Sequence, residues 1–208
     1  MSKLNSFDRV APYYDVLAHV AFVGNIKRSQ LAFLEVIEPG ASILIIGGGT
    51  GWIVKEIFKR EPNVMITYVE GSTQMIEITK RHLTLTELNR VHFIHTIEVP
   101  MIENVDVMIT NFLLDLFSEK TLPDYIIRLK QNIKPQTLWL VSDFVNEGKR
   151  WQHFLLWAMN FFFLLMGSMT LNKLPDWSHH LERAGFTVMK EKRYFSGFIK
   201  TTVYRPST

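Results

Sequence analysis

The residues best suited to binding chemistry form a glycine-rich turn, Gly47-Gly48-Gly49-Thr50-Gly51, which follows the apolar run 42–46. Glycine adopts left-handed backbone conformations without strain and lets another molecule approach the backbone closely. A bare strand-to-helix turn does not need glycine at alternate positions, as found at Gly47, Gly49 and Gly51. We therefore expect a ligand to lie against this turn.

One carboxylate, Glu70, narrows the chemistry of that ligand. It ends the apolar run 65–70 and lies 19 residues after Gly51, where an acidic side chain can accept hydrogen bonds from both hydroxyls of a ribose. The dinucleotide fingerprint G-x-G-x-x-G would require glycine where this chain has Trp52, and a P-loop would require a Gly-Lys pair that the turn lacks. The turn and the carboxylate together indicate a ligand that contains a nucleoside.

These residues require a scaffold in which the carboxyl ends of several strands meet. Strand-like and helix-like segments alternate along the chain with short connections, a pattern typical of an α/β fold. The predicted strands are 42–46, 65–70, 91–97, 105–112, 137–144, 187–195 and 197–205. The predicted helices are 16–37, 52–60, 73–83, 122–133 and 176–186. The sequence therefore predicts a doubly wound, mostly parallel seven-stranded sheet with an antiparallel C-terminal hairpin.

Composition limits the class of protein. The chain has 208 residues, of which 47% are hydrophobic and 21% charged, with a formal net charge of +3 and no cysteine. We expect a single domain over 1–208, because no repeat or low-complexity linker divides the chain. The scattered Lys and Arg residues give no reason to expect nucleic acid as a partner. The lack of cysteine excludes disulfides and thiolate metal sites, and because the N-terminal stretch shows no apolar signal segment we expect a cytoplasmic protein.

Four stretches of the sequence resemble a known family: FDRVAPYYD at 7–15, IIGGGTG at 45–51, YVEGSTQM at 68–75 and DVMITNF at 106–112. They are similar to class I S-adenosylmethionine-dependent methyltransferases, and most of all to the ubiquinone/menaquinone biosynthesis C-methyltransferase group. The resemblance covers nearly the whole chain and implies a Rossmann-like methyltransferase fold with S-adenosylmethionine as the cofactor. The cofactor-binding residues that it implies are Tyr14, Gly47, Gly49, Gly51, Glu70, Gly71, Met75, Thr96, Ile97 and Asn111.

The resemblance assigns the ribose and the adenine to the second and third strands. The residue matching Glu70 binds the ribose in that family, and Gly71 follows it directly. The position matching Met75 packs on the adenine. Thr96 and Ile97 flank the adenine, although the family usually has Asp or Asn where this chain has Thr96.

The methionine end of the cofactor is implied to lie on the glycine turn, near Asn111 at the end of the fourth strand. Tyr14 belongs to an N-terminal helical cover, 1–38, which closes over the site in that family. Two positions depart from the pattern: the family usually has Asp where this chain has Ile45, and the quinone-pathway enzymes have Arg where it has Asp115. These departures leave the methyl acceptor unassigned.

Asp115 is our candidate catalytic residue, because an acceptor such as a phenol would be activated by a general base. Its alternative role is to cap a helix that begins near Ser118. His19 and His153 are further candidate bases, but a histidine on a helix face more commonly has no such role. We predict no metal site, since no set of ligands with suitable spacing is present.

The segment from Trp151 to Asn172 carries no charged residue. As a helix it would be about 33 Å long, enough to cross a bilayer core, but its polar side chains make it a poor membrane span. Within the insertion 150–174, we predict that Phe154 to Met169 forms either an apolar lid over the acceptor or a buried interface, for example in a homodimer. A lid of this kind could also touch a membrane surface.

The sequence thus predicts transfer of a methyl group from S-adenosylmethionine to a small apolar or aromatic acceptor. Two alternatives stay open. A non-catalytic S-adenosylmethionine-binding or scaffolding protein is compatible with the departures at Ile45 and Thr96. A nicotinamide-dependent oxidoreductase is disfavoured by Trp52.

Overall fold

A computed structural model of the chain describes residues 24–153, 155–156 and 174–207. These residues form one seven-stranded sheet with the strand order β3-β2-β1-β4-β5-β7-β6. Strands β1 to β5 are parallel to one another, and β7 lies antiparallel between β5 and β6. The strands are β1 Ser42–Ile46, β2 Met65–Glu70, β3 Val91–His95, β4 Val107–Asn111, β5 Leu138–Phe144, β6 Phe186–Tyr194 and β7 Ile199–Pro206. The α/β fold with an antiparallel C-terminal pair is therefore confirmed.

Helices connect the strands on both faces of the sheet. Among the described residues the α-helices with full bounds are Asn25–Leu31, Trp52–Arg60, Thr73–His82, Leu85–Leu88, Leu122–Lys130 and Trp177–Arg183. Residues 150–153 and 155–156 are also helical. Short 3-10 helices occupy Leu34–Val36, Leu114–Leu116 and Phe195–Gly197.

Three local predictions were wrong in detail. The described part of the helix predicted over 16–37 ends at Leu31, and Phe33 then adopts a φ of 66°, which no continuing helix permits. The helix predicted over 122–133 begins at Leu122 as expected and ends at Lys130, so the start near Ser118 considered for an Asp115 cap was wrong. The helix Leu85–Leu88 was not predicted, although its capping box of Thr84 and Glu87 is a recognisable sequence signal.

The alternation of side chains along β1 explains how the sheet is covered on both faces. Ile43 and Ile45 pack into one hydrophobic cluster with the helix Trp52–Arg60. Leu44 and Ile46 point the other way, into a second cluster with the helices Leu122–Lys130 and Trp177–Arg183. Every side chain of β1 from 43 to 46 is therefore buried, as expected for a strand inside a doubly wound sheet.

The strand order places the glycine turn at the position where ligands bind in such sheets. β1 and β4 are adjacent, and the chain continues from them towards opposite edges. A crevice forms outside the carboxyl ends of the strands at such a switch point. The turn 47–51 follows β1 and Asn111 ends β4, so both lie at this crevice.

The described parts of the chain contain no helix that combines the length and the apolar character needed to cross a membrane.

Candidate cofactor and acceptor site

The glycine turn has the backbone conformation that its sequence predicts. Gly47, Gly49 and Gly51 have φ angles of 69°, 63° and 70°, in the left-handed region that glycine adopts without strain. Gly51 is the N-cap of the helix Trp52–Arg60. The N–H groups of Gly47 and Gly48 both point at the carbonyl oxygen of Val69, at 2.9 and 3.4 Å, which fixes the turn against β2.

The glycines of this turn have different neighbours, which separates their roles. A Cβ atom added at Gly48 would lie 2.2 Å from Cε2 of Tyr68, and one added at Gly51 would lie 2.1 Å from Cγ2 of Thr79. Both positions therefore require glycine because the protein itself fills the space beside them. A Cβ atom added at Gly49 would meet no atom within 4 Å. Gly49 is thus the glycine of this turn that faces open space, where a ligand could approach.

The buried Tyr68 of β2 fixes this turn through its hydroxyl group. Its hydroxyl lies 2.6 Å from the carbonyl oxygen of Gly49 and donates a hydrogen bond to it. The same hydroxyl is 3.1 Å from Oγ1 of Thr79, and Oγ1 of Thr79 also donates to the carbonyl oxygen of Met75 at 2.9 Å. The turn and the helix Thr73–His82 are therefore connected through one buried phenol.

Glu70 joins the glycine turn to the start of the next helix. Its Oε2 accepts a hydrogen bond from the N–H of Gly49 at 2.8 Å, and its Oε1 accepts one from the N–H of Ser72 at 2.9 Å. Burial raises the pKa of Glu70, although backbone N–H groups, foremost that of Gly49, favour its ionised form. A carboxylate has about four lone-pair sites, of which the N–H groups of Gly49, Ser72 and Gly71 use three, so acceptor capacity remains for a hydroxyl of a ribose. The carboxylate thus fits the ribose of a nucleoside beside the open face of Gly49.

The residues implied to surround the adenine lie next to Glu70. A Cβ atom added at Gly71 would be 2.8 Å from Cγ2 of Ile97, and the N–H of Thr96 donates to the carbonyl oxygen of Glu70 at 3.1 Å. The Ile97 side chain is 70% exposed, which leaves an apolar surface free for a flat ring. Met75 is buried in the adjoining helix.

The loop after β4 forms the side of the site next to the glycine turn. A Cβ atom added at Gly47 would be 2.9 Å from Cδ1 of Leu113, so the loop that follows Asn111 packs directly on the glycine turn. Phe112 adopts a φ of 52°, an uncommon value for a bulky residue that often marks a functional site.

Asp115 lies in the 3-10 helix Leu114–Leu116 and is only 5% exposed. It does not cap the helix expected near Ser118, because that helix starts at Leu122 and has Thr121 at its N-cap. Burial raises the pKa of the Asp115 carboxyl to about 7. Its Oδ1 atom is buried and has no hydrogen-bond partner among the described residues.

The sequence reading missed Asp143, the partner of Asp115. Asp143 is fully buried in β5, and its carboxylate accepts hydrogen bonds from the backbone of the loop after β4. The two carboxyl groups are within hydrogen-bonding reach of each other. Burial and the neighbouring Asp115 carboxyl raise the pKa of Asp143 well above its usual value. The available signal was a single charged residue in the otherwise uncharged strand LWLVSDF, 138–144.

Several predicted features lie wholly or partly outside the described residues. These include Tyr14 and His19, most of the cover 1–38 and nearly all of the insertion 150–174. Within the described part, His153 is exposed, and Leu155 and Leu156 pack on a cluster that includes Phe144 and Phe198. Over the same described ranges, no three His, Asp or Glu side chains are placed to hold a metal ion.

Comparison with known proteins gives partial relatives. No family model matches the chain. It is 27% identical over 86 residues to the demethylmenaquinone methyltransferase of Chlamydia pneumoniae. This match covers 41% of this chain and 37% of that protein. The chain is 32% identical over 113 residues to the malonyl-[acyl-carrier protein] O-methyltransferase of Halalkalibacterium halodurans, which covers 51% and 40% respectively. The match thus spans about two fifths of the length of these curated relatives.

Among solved structures, the complex of DhpI with SAH (S-adenosylhomocysteine) superposes with a TM-score of 0.71 at 14% identity, over 99% of this chain and 96% of that one. Together with the sheet order and the glycine turn at the switch point, these matches confirm the resemblance seen in the sequence. The chain has the fold of the class I S-adenosylmethionine-dependent methyltransferases.

Proposed function

We propose that this protein binds S-adenosylmethionine at the glycine turn and transfers its methyl group to a small apolar or aromatic acceptor. The observation that carries the proposal is the pairing of Gly49 with Glu70. Gly49 faces open space, and the Glu70 carboxylate, fixed 2.8 Å from its N–H, keeps acceptor capacity for a ribose. Two proteins that this chain resembles over part of its length are named methyltransferases.

Each part of the site has a distinct task in this proposal. When bound, S-adenosylmethionine supplies a methyl group that is already activated by its sulfonium charge. The protein's contribution is chiefly to position that methyl against the acceptor, and positioning alone can account for several kcal/mol of a reaction barrier, on the order of 7–11 in well-oriented systems. Gly49 and Glu70 hold the methionine and ribose ends, and Ile97 offers an apolar face to the adenine. The loop after Asn111 borders the methyl end.

Two features support an apolar or aromatic acceptor. The rings of Phe112 and Phe144 are 4.9 Å apart, and those of Phe144 and Phe198 are 5.1 Å apart. This aromatic group follows Asn111 at the carboxyl edge of the sheet. Trp151, the first residue of the uncharged segment 151–172, has its ring 5.7 Å from that of Phe198. We extend the proposal to that segment as an apolar lid, a homodimer contact or a contact with a membrane surface.

A binding protein without catalytic activity is the second candidate. It is favoured by Ile45, which is 2% exposed and packs in the core where the resembling family has an acidic residue. One polar contact to the methionine end is then absent. The nicotinamide alternative has no comparable support, since Trp52 starts the helix where a dinucleotide site needs glycine.

Calorimetry with S-adenosylmethionine and S-adenosylhomocysteine separates these candidates when it is combined with transfer of a radiolabelled methyl group. The acceptor panel should contain phenols, hydroxyquinones and hydrophobic carboxylic acids. Binding with labelled product supports the methyltransferase. Binding without product across the panel supports the non-catalytic protein, and binding of NADH alone supports an oxidoreductase.

A further inference from the structure

The loop after β4 is held by one buried carboxylate from the neighbouring strand. Oδ2 of Asp143 accepts hydrogen bonds from the N–H groups of Leu113, Leu114 and Asp115, at 3.2, 2.8 and 3.4 Å. Its Oδ1 accepts a fourth from the N–H of Phe144 at 2.8 Å. Because Leu113 packs on Gly47, Asp143 fixes this loop against the glycine turn.

Asp115 stands in that loop with its carboxyl within hydrogen-bonding reach of Asp143. Its Oδ1 atom is buried, and no N–H or O–H group in the described part of the chain donates a hydrogen bond to it. A buried oxygen without a hydrogen bond costs about 1–3 kcal/mol. Such an atom is expected where a ligand donates the missing bond.

Two carboxylates in contact inside a protein do not both ionise readily, because each charge raises the cost of the other. The described groups that act on this pair are the two carboxyls themselves and nearby backbone N–H groups. The neighbouring cation is Lys200, which pairs in register with Asp143 across β5 and β7. Its ammonium group contacts Glu191 and Ser178 instead, at 2.9 and 2.8 Å. The pair therefore holds one proton in common.

We propose that Asp143 is a positioning residue for Asp115, and that the pair receives the proton which an O–H or N–H methyl acceptor loses on methylation. This inference rests on the proposed function and names its substrate class: a protic nucleophile that donates a hydrogen bond to Oδ1 of Asp115. Burial and the Asp115 carboxyl raise the pKa of Asp143 well above its usual value, whereas the pKa of Asp115 is raised to about 7. Asp143 therefore carries the shared proton in the resting pair, and Asp115 is the group that can accept another.

In the transfer step with an O–H acceptor, two bonds form and two bonds break. The acceptor oxygen forms a bond to the methyl carbon, while the carbon–sulfur bond breaks and both of its electrons stay on sulfur. The electrons of the O–H bond remain on oxygen, and the proton passes to Oδ1 of Asp115. The proton already on Asp143 stays there. The products are a methyl ether, a neutral thioether and a pair of two neutral carboxylic acids, one proton of which returns to solvent.

Infrared spectroscopy tests the shared proton without any substrate. Protonated carboxyl groups absorb separately from carboxylates, and Asp143→Asn should remove the protonated carboxyl band that the wild-type protein keeps at pH 8. Asp124→Asn is the matched control, because Asp124 is exposed in the first turn of the helix Leu122–Lys130. An unchanged band in Asp143→Asn would overturn the proposal, as would absence of the band from the wild-type protein. If Asp143→Asn does not fold, Asp115→Asn decides instead, because it should remove the part of the band that the wild-type protein loses as the pH rises through 7.

The pH dependence of methyl transfer tests the role in the reaction. With an acceptor from the panel above, the wild-type rate should rise as Asp115 loses its proton near pH 7 while Asp143 keeps its own. Asp115→Asn should lower the rate at pH 8 by ~10²-fold, a typical contribution of general base catalysis. Asp124→Asn should follow the wild-type profile. An unchanged profile in Asp115→Asn with unchanged S-adenosylmethionine affinity would overturn the proton-accepting role. Failure of the wild-type protein to bind S-adenosylmethionine would instead defeat the proposed function, and the infrared result would still stand.

Discussion

The two central glycines of the turn provide a sharp test, because the structure assigns opposite reasons for their presence. Gly48 is required by the protein's own packing, since an added Cβ atom would lie 2.2, 2.3 and 2.6 Å from three atoms of Tyr68. A Cβ atom added at Gly49 would have no other atom within 4 Å. We therefore expect Gly48→Ala to damage stability and Gly49→Ala to damage cofactor binding.

The magnitudes follow from these surroundings. Tyr68 cannot move aside easily, because it is fully buried and its hydroxyl is fixed 2.6 Å from the carbonyl oxygen of Gly49. Overpacking of this kind costs about 1–3 kcal/mol of unfolding free energy. Gly49→Ala places a side chain at a φ of 63°, and a left-handed alanine costs about 1–2 kcal/mol. Gly49→Ala should therefore lose some stability as well. Because its methyl group would stand in the open space proposed for the ligand, it should also lose at least ~10-fold in affinity for S-adenosylmethionine, equivalent to about 1.4 kcal/mol, and Gly49→Val should abolish binding.

Urea unfolding measures the first effect and calorimetry the second. The double variant Gly48→Ala, Tyr68→Leu supplies the control, because removing the ring should relieve the clash. Its stability loss should be smaller than the sum of the two single losses, by about 1–3 kcal/mol as for residues in direct contact. Additive losses, or wild-type affinity in Gly49→Ala, would refute the assignment of these two glycines.

Three further predictions concern the rest of the site. Glu70→Ala should weaken S-adenosylmethionine binding by about 1.5–3 kcal/mol, the range for a hydrogen bond to a charged group. Glu77→Ala, on the exposed face of the next helix, should leave that affinity unchanged. Equal affinities in the two variants would remove Glu70 from the site. Burial raises the pKa of Asp115 from 3.8 to about 7, so its contribution to stability is complete below about pH 4 and is lost as the pH rises through 7. Urea midpoints at pH 5 and pH 8 should therefore differ less in Asp115→Asn than in the wild-type protein, and an equal difference would contradict the raised pKa. Replacing the three phenylalanines 161–163 with serine should raise the KM for an aromatic acceptor without changing S-adenosylmethionine affinity, and an unchanged KM would argue against the lid.

The parts of the fold that depend on local pattern were predicted well. The run 42–46 is apolar at nearly every position because β1 is covered on both faces, and the helix 52–60 has its predicted bounds. The glycine turn was identified because left-handed backbone leaves a direct trace in sequence. The position of Glu70 beside Gly49 also follows from strand order, since adjacent parallel strands end at the same edge.

The parts that depend on distant contacts could not be predicted. Asp143 contacts a loop 28 to 30 residues earlier in the chain, and nothing in the local pattern of β5 indicates which backbone groups it binds. The requirement for glycine at Gly48 and Gly51 likewise arises from Tyr68 and Thr79, which belong to other elements. The sequence therefore indicates which glycines to examine, but only tertiary packing separates those required by the protein's own packing from Gly49, which faces open space.

The most direct test of the central claim is calorimetric titration of the wild-type protein with S-adenosylmethionine, alongside Glu70→Ala and Gly49→Val. The account predicts one binding site per chain in the wild-type protein, weaker binding in Glu70→Ala and no binding in a folded Gly49→Val. Absence of binding to the folded wild-type protein would contradict the account, as would wild-type affinity in both variants.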